Sequence, residues 1–401
     1  MASAPIDPVE LTRDLIRRPS VTPADEGAMD IIQARLEAMG FVCRRMAFEG
    51  IENLYARLGT ASPNLCFAGH TDVVPTGPVE GWSQGPFEAE VVGGVLYGRG
   101  AVDMKGGIAA WIAALERWLA ANTLKGSLSL LITGDEEGVA LNGTKRVVQA
   151  LIAEGEVIDA CVVGEPSSAL RLGDTIKVGR RGSLNTWISV FGKQGHVAYP
   201  DRAANPAPVL TRLLTDLCDR RLDEGYPPLG ATAADAVDGC LSAMAFQPSN
   251  LEITTIDIGN PATNLIPGEA KARINIRFNP SHTGESLMAW LNERAGAAQA
   301  GSGLRVELEH LHSGDAFLTE AGVFVETVRD AVEQVAGVRP EPSTTGGTSD
   351  ARFIRAMCPV LELGLVGQTM HQIDERAPVA EIEQLARVYE RVIDLYFQRF
   401  A

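Results

Sequence analysis

The sequence predicts an α/β fold: a mainly parallel-sheet domain interrupted by an inserted α+β domain of ferredoxin-like order. Three observations carry this. Up to Arg181, short apolar runs that stop at a glycine alternate with stretches of helical spacing. From Ser183 the period drops to two. With 401 residues, the chain exceeds what one hydrophobic core usually supports, so two domains are expected.

Pro8 to Arg18 and Ala24 to Met39 repeat apolar residues at helical spacing, and Gly40 stands where a helix would end in a C′ glycine. Asn53–Leu58, Leu65–Ala68, Leu128–Thr133 and Ala160–Val163 read as buried strands, with helices Met104–Ala121 and Gly143–Ala153 between them. Strands alternating with helices imply a largely parallel sheet covered on both faces. Ligands bind beyond the carboxyl ends of such strands. Leu184 to Val190 then alternates with period two, and Asn205–Arg221 reads as a helix. Strands Leu251–Ile258 and Ala270–Phe278, helix Gly284–Ala297 and strand Leu304–His310 complete a β-α-β-β-α-β order. Asp223 to Pro248, containing Tyr226-Pro-Pro-Leu-Gly230, reads as a loop-rich insertion. The first pattern resumes near Ser313, with helices Ala321–Val335, Asp350–Met357 and Val379–Phe400. The expected sheet domain is therefore 1–181 with 313–401, and the inserted domain 182–312. A sheet of that kind leaves one face and an edge strand open to self-association.

Composition excludes some functions. A net charge of −16 disfavours nucleic acid, because a phosphate backbone needs a basic face. Cys43, Cys66, Cys161, Cys218, Cys240 and Cys358 form no C-x-x-C pair and mostly sit among apolar residues, so buried reduced thiols are expected. Met1-Ala-Ser-Ala-Pro5 lacks the basic and apolar regions of a signal peptide. The most apolar helix, from Ile108, meets Glu116 and Arg117 too soon to span a bilayer. A cytoplasmic protein without a membrane partner is expected.

The chemistry lies where apolar runs end. His70, Glu136–Glu137, Glu165 and His371 each follow such a run and a glycine, and Asp103 lies in Gly98-Arg-Gly-Ala-Val-Asp-Met-Lys-Gly-Gly107. Imidazole and carboxylate without thiolate suit zinc, cobalt or manganese. Asp72 either accepts the second ring N–H of His70, fixing its tautomer, or caps the next turn. Asp103 alone would serve as a helix N-cap, yet its two oxygens can also bridge two cations, and flanking glycines permit close backbone approach. Adjacent residues of an extended chain point apart. Glu137 can thus bind metal while Glu136 acts as general base, although Asp-Glu-Glu-Gly is also a common solvated turn. Glu165, directly after a buried strand, must be desolvated or ligated. His282, His310 and His312 read as structural, whereas His196 stands beside two glycines. Lys177, Arg180 and Arg181 cluster at the domain junction, and Arg277 lies in a later strand, so arginine forks could meet an anionic substrate. Asn264 and the turn Thr345–Asp350 offer further polar loops.

In this order the segments resemble those of the co-catalytic zinc aminoacylase and carboxypeptidase family of metallopeptidases, over almost the whole chain. Gly69-His-Thr-Asp-Val-Val-Pro-Thr-Gly77, Gly179-Arg-Arg-Gly-Ser183, Gly192-Lys-Gln-Gly-His-Val-Ala-Tyr-Pro200 and Gly346-Gly-Thr-Ser-Asp350 point within it to one member acting on a small anionic N-acyl amino acid. The resemblance implies a zinc-hydrolase catalytic domain with two Zn2+ per subunit, for which Co2+ can substitute. His70 and Glu165 would bind the first zinc, Glu137 and His371 the second, and Asp103 would bridge them. Asp72 would orient His70 and Glu136 would be the base. His196 would donate to the developing oxyanion, reaching the partner's site in a homodimer formed through the inserted domain. Arg180, Ser183, Tyr199, Asn264, Arg277 and Thr348 would lie near substrate. Where well-known members carry Asn four residues before the last ligand histidine, this chain has Gly367, so one substrate contact is either missing or supplied by Gln368. Sibling amidases stay open: acetylornithine deacetylase, an aminoacylase or a dipeptidase. A dinucleotide-binding protein would need a third glycine after Gly98 and Gly100. A catalytically silent binding protein is opposed by the intact Glu136.

Overall fold

A computed structural model describes residues 5–224 and 246–401. Cys240 and most of the expected insertion 223–248 lie outside the described residues. The chain divides into two compact units, Met1–Val178 with Thr319–Ser343 and Ser349–Ala401, and Gly179–Leu318 with Thr344–Thr348.

In the first unit an eight-stranded sheet runs in the order Val42–Arg45, Leu54–Leu58, Ser127–Thr133, Asn64–His70, Ala160–Val163, Val360–Glu362, Thr175–Lys177, Glu341–Ser343. Its four middle strands are parallel. Leu54–Leu58 pairs antiparallel with Ser127–Thr133, so the sheet is mixed at its flank. Every residue of Asn64–His70, Ser127–Thr133 and Ala160–Val163 is buried. That is why these strands read as unbroken apolar runs. Helices Pro8–Ile16, Lys105–Ala121, Val323–Ala336 and Val379–Phe400 pack together. Trp111 of this layer stacks on Phe67 of the sheet with ring centroids 4.8 Å apart, and Tyr389 meets Trp111 edge-on at 5.1 Å. Helix Ala28–Ala38 starts later than expected, and Gly40 follows its C-cap with φ +91°, the left-handed geometry glycine favours. The expected helix from Asp350 is only the single turn Ala351–Ile354.

The second unit holds a four-stranded antiparallel sheet in the order Asn250–Asp257, Glu269–Phe278, Gly182–Phe191, Arg305–Gly314. Numbered along the chain this is 2-3-1-4, the ferredoxin-like arrangement. Leu184, Ile188, Ile274 and Ile276 point to one face and build a core with helices Ala207–Cys218 and Gly284–Ser302. Thr283 starts the second helix with a capping box, its hydroxyl accepting from the Ser286 N–H. The edge strand Asn250–Asp257 leaves Ile253 and Ile256 exposed. No described helix is long and apolar enough to cross a membrane.

Candidate metal centre

Parallel register brings the site residues to one sheet edge. His70 is paired with Thr133, the residue before Gly134-Asp-Glu-Glu137, and Ala68 with Val163, two residues before Glu165. Helix Lys105–Ala121 begins at the same edge because its Gly107 lies against Gly164; a Cβ on Gly107 would stand 2.6 Å from the Gly164 carbonyl oxygen. Asp103, just ahead of that helix, does not cap it: the N-cap residue is Met104, and no side chain caps it.

Two clusters result, sharing Asp103. In the first, His70, Asp103 and Glu165 are all buried and offer ligand atoms within 4.8 Å of one another. Nε2 of His70 lies 3.3 Å from Oδ1 of Asp103 and 3.6 Å from Oε1 of Glu165. In the second, Nε2 of His371 lies 3.2 Å from Oδ2 of Asp103 and 2.9 Å from Oε1 of Glu137. Opposite oxygens of one carboxylate thus address the two histidines, the disposition a bridging ligand needs. Glu136 joins His70 and Glu137 in a third group but neither of the first two. His371 adopts φ +62°, rare for a non-glycine residue, and strain of this kind clusters at functional sites.

The residues fit divalent cations. Nε2 of His70 and Oδ1 of Asp103 are buried without a hydrogen-bond partner, and such orphaned groups call for an ion or another partner. The charges agree. Burial raises Glu165 well above the usual carboxylate range, and the Asp103 charge adds to this. Burial likewise lifts Glu136 well above its ordinary value, reinforced by Asp350, Glu137 and Asp103 although His70 opposes it. Burial alone would lower the His70 imidazole, but Asp103, Glu165 and Asp72 outweigh it and raise it well above normal. Hydrogen bonds to Asp103 and Glu137 raise His371 to about 10. A site this crowded with carboxylates is relieved by cations in place of protons. An all N/O donor set suits zinc and harder divalent ions.

Asp72 acts differently from the expected manner. Nδ1 of His70 lies 2.9 Å from the main-chain carbonyl of Asp72 and 3.5 Å from its carboxylate. The carboxylate instead accepts the N–H groups of Glu136 (3.3 Å) and Glu137 (3.1 Å). The carbonyl still sets the tautomer, leaving the Nε2 lone pair for a ligand. Asp135 accepts from the N–H groups of Leu141 and Asn142, so it shapes the loop.

The remaining expected residues belong to the second unit. Ser183 and Arg277 are directly paired across neighbouring strands. Buried Arg180 donates to the carbonyl of Thr345, in the stretch that carries Thr348. His196 and Leu265 pair on a two-stranded ribbon, and the N–H of Val197 donates to the Asn264 carbonyl. Nδ1 of exposed His196 accepts from the Ala198 N–H, so its Nε2 carries the proton and can donate. Exposed Tyr199 lies with its ring 5.8 Å from that imidazole. His310 bonds Thr186, while His282 and His312 face Asp223 and Asp315. Among the described cysteines all are free, but only Cys66, Cys161 and Cys358 are buried.

Sequence reasoning overlooked Arg99 and Glu375, an ion pair at 2.7 Å that is almost wholly buried beside Asp103. An arginine between two glycines was the available signal; Asp374-Glu-Arg376 reads only as a solvated turn.

An α/β sheet whose edge carries two histidine–carboxylate clusters sharing one aspartate defines a metal-dependent hydrolase. The chain belongs to peptidase family M20/M25/M40, whose model matches residues 66–395. It is 62% identical over 395 residues to succinyl-diaminopimelate desuccinylase of Phenylobacterium zucineum, covering 98% of this chain and 100% of the relative. It is 61% identical to the protein of that name from Caulobacter vibrioides strain NA1000, covering 100% and 98%. An M20 metallo-carboxypeptidase from Sulfolobus solfataricus shares the fold at TM-score 0.80 and 18% identity, covering 97% and 99%. A dinuclear metal-binding M20 peptidase from Bacillus subtilis does so at 0.68 and 16%, covering 97% and 98%.

Proposed function

We propose that the chain hydrolyses N-succinyl-LL-2,6-diaminoheptanedioate to succinate and LL-2,6-diaminoheptanedioate, a step in lysine and diaminopimelate biosynthesis, as a cytoplasmic homodimer holding two zinc ions per subunit. The observation that carries the substrate is the 62% identity, over 98% of this chain, to a relative named for this reaction. The two clusters joined at Asp103 carry the chemistry.

His70 and Glu165 would hold one cation, Glu137 and His371 the other, and Asp103 both. When bound, such a pair activates water and polarises an amide carbonyl. Glu136 accepts the water proton and returns it to the leaving amine nitrogen, so that one water is consumed and one amide bond broken. Asp72 holds Glu136 and Glu137 through their N–H groups. The Nε2–H of His196 would stabilise the oxyanion, with Arg180, Ser183, Tyr199, Asn264, Arg277 and Thr348 receiving substrate carboxylates and polar groups. The exposed edge strand Asn250–Asp257 supports dimerisation through the inserted domain.

The test compares kcat/KM for succinyl-diaminopimelate and N-acetylornithine, before and after chelation and after restoring zinc or cobalt. Preference for acetylornithine would reassign the substrate. Activity in a demonstrably metal-free sample would refute the chemistry.

A further inference from the structure

Behind the two clusters lies a buried ion pair that the proposed mechanism does not use. Arg99 is 2% exposed and Glu375 0%. One carboxylate oxygen of Glu375 accepts from Nη1 of Arg99 at 2.7 Å. The other accepts the N–H of Val102 at 3.0 Å and of Asp103 at 3.1 Å. Nη2 of Arg99 lies 3.3 Å from the Pro75 carbonyl and 3.5 Å from that of His371. Below the pair, strand Arg376–Pro378 runs antiparallel to Val95–Tyr97, and the Gly98 N–H donates to the Glu375 carbonyl. The guanidinium therefore joins the chain leaving His70, the loop bearing Asp103 and the loop bearing His371. Each of these segments carries a ligand.

Stability alone is a weak account of this arrangement. Burying two charges costs several kcal/mol per ion before their attraction and hydrogen bonds offset it, and apolar replacements of such pairs are often neutral. What an apolar pair could not do is hold the main-chain N–H groups of Val102 and Asp103 and the carbonyl of His371 in register. We propose that Arg99 and Glu375 are positioning residues that fix Asp103 and His371 as ligands and thereby set the affinity of the cation held by His371, Glu137 and Asp103. This rests on the two-cation reading above. The His70–Glu165 position feels the pair through Asp103 and, more remotely, through the Pro75 carbonyl five residues beyond His70, so it depends on it less.

The experiment is calorimetric titration of zinc alone into metal-free protein, with far-UV circular dichroism and melting recorded for each sample. Wild type should bind two zinc ions. Arg99→Lys keeps the charge but loses the fork, and Glu375→Gln keeps the shape but turns an amide toward Arg99. Both should bind one of the two ions about 10–100-fold less tightly, the range seen when groups supporting metal ligands are changed, and the other less than about tenfold. Arg99→Met combined with Glu375→Gln removes both charges together and should show the same loss without a lower metal-free melting temperature. Any folded variant that binds both ions within threefold of wild type overturns the proposal. Failure of all three to fold metal-free overturns it too, since the pair would then be structural. Wild type binding fewer than two ions would instead refute the two-cation reading.

Discussion

The carboxylate of Asp72 accepts the backbone N–H of Glu137 at 3.1 Å, while the His70 ring N–H is directed to the Asp72 carbonyl at 2.9 Å. The Asp72 carboxylate therefore serves the turn that carries Glu136 and Glu137, while its carbonyl orients His70. Asp72→Asn leaves the carbonyl in place but presents an amide NH2 to one of two N–H groups. Two metals should remain bound while kcat falls about 10–100-fold. Metal analysis beside steady-state kinetics checks this; loss of the His70 metal would instead restore the carboxylate's role in fixing the imidazole.

Glu136 sits with His70 and Glu137 but outside the two clusters that share Asp103. Glu136→Ala should accordingly keep both metals and lose about 10²–10⁴-fold in turnover, the usual contribution of a general base. His371→Ala should weaken one metal chiefly. If metal content collapses in Glu136→Ala, the roles of Glu136 and Glu137 are exchanged.

His371 carries a pH dependence of definite sign. Its facing carboxylates raise it from 6.5 to about 10. In the metal-free protein the protonated ring contributes stability that is complete below the unfolded value and lost as pH rises through about 10. A cation must displace that proton, so zinc affinity should increase by up to about tenfold per pH unit over this window. Chelator-competition titrations at pH 6.5, 7.5 and 8.5 measure it. A flat profile would mean that His371 is not a ligand.

The sheet edge was legible because a buried parallel strand must be apolar throughout and can carry a polar ligand only where it ends. Glycine before His70 and Glu165 marked those ends. Thr175–Lys177 and Glu341–Ser343 were not legible: each is three residues long, too short for any period. That the main-chain carbonyl of Asp72, and not its carboxylate, receives the His70 ring N–H is not legible, because residue spacing places side chains and says nothing about a carbonyl. Glu375 stayed hidden for a related reason. Its neighbours are charged, and only the fold folds Arg99 over it and removes both from water.

The Nε2–H of His196 is available to donate because Nδ1 accepts from the Ala198 N–H. In the homodimer proposed above, each histidine would serve the partner's catalytic unit. His196→Ala and Glu136→Ala should then each be nearly inactive alone. Mixed in equal amounts and refolded together, they form hybrids in about half of the dimers, and each hybrid combines an intact Glu136 from one chain with an intact His196 from the other at one of its two sites. Roughly a quarter of wild-type activity should return. Refolding each variant separately supplies the baseline, and native mass measurement counts the hybrids. Hybrids without recovered activity would place His196 in its own chain's chemistry or outside the reaction altogether, because every group needed for a whole site would be present and still not work.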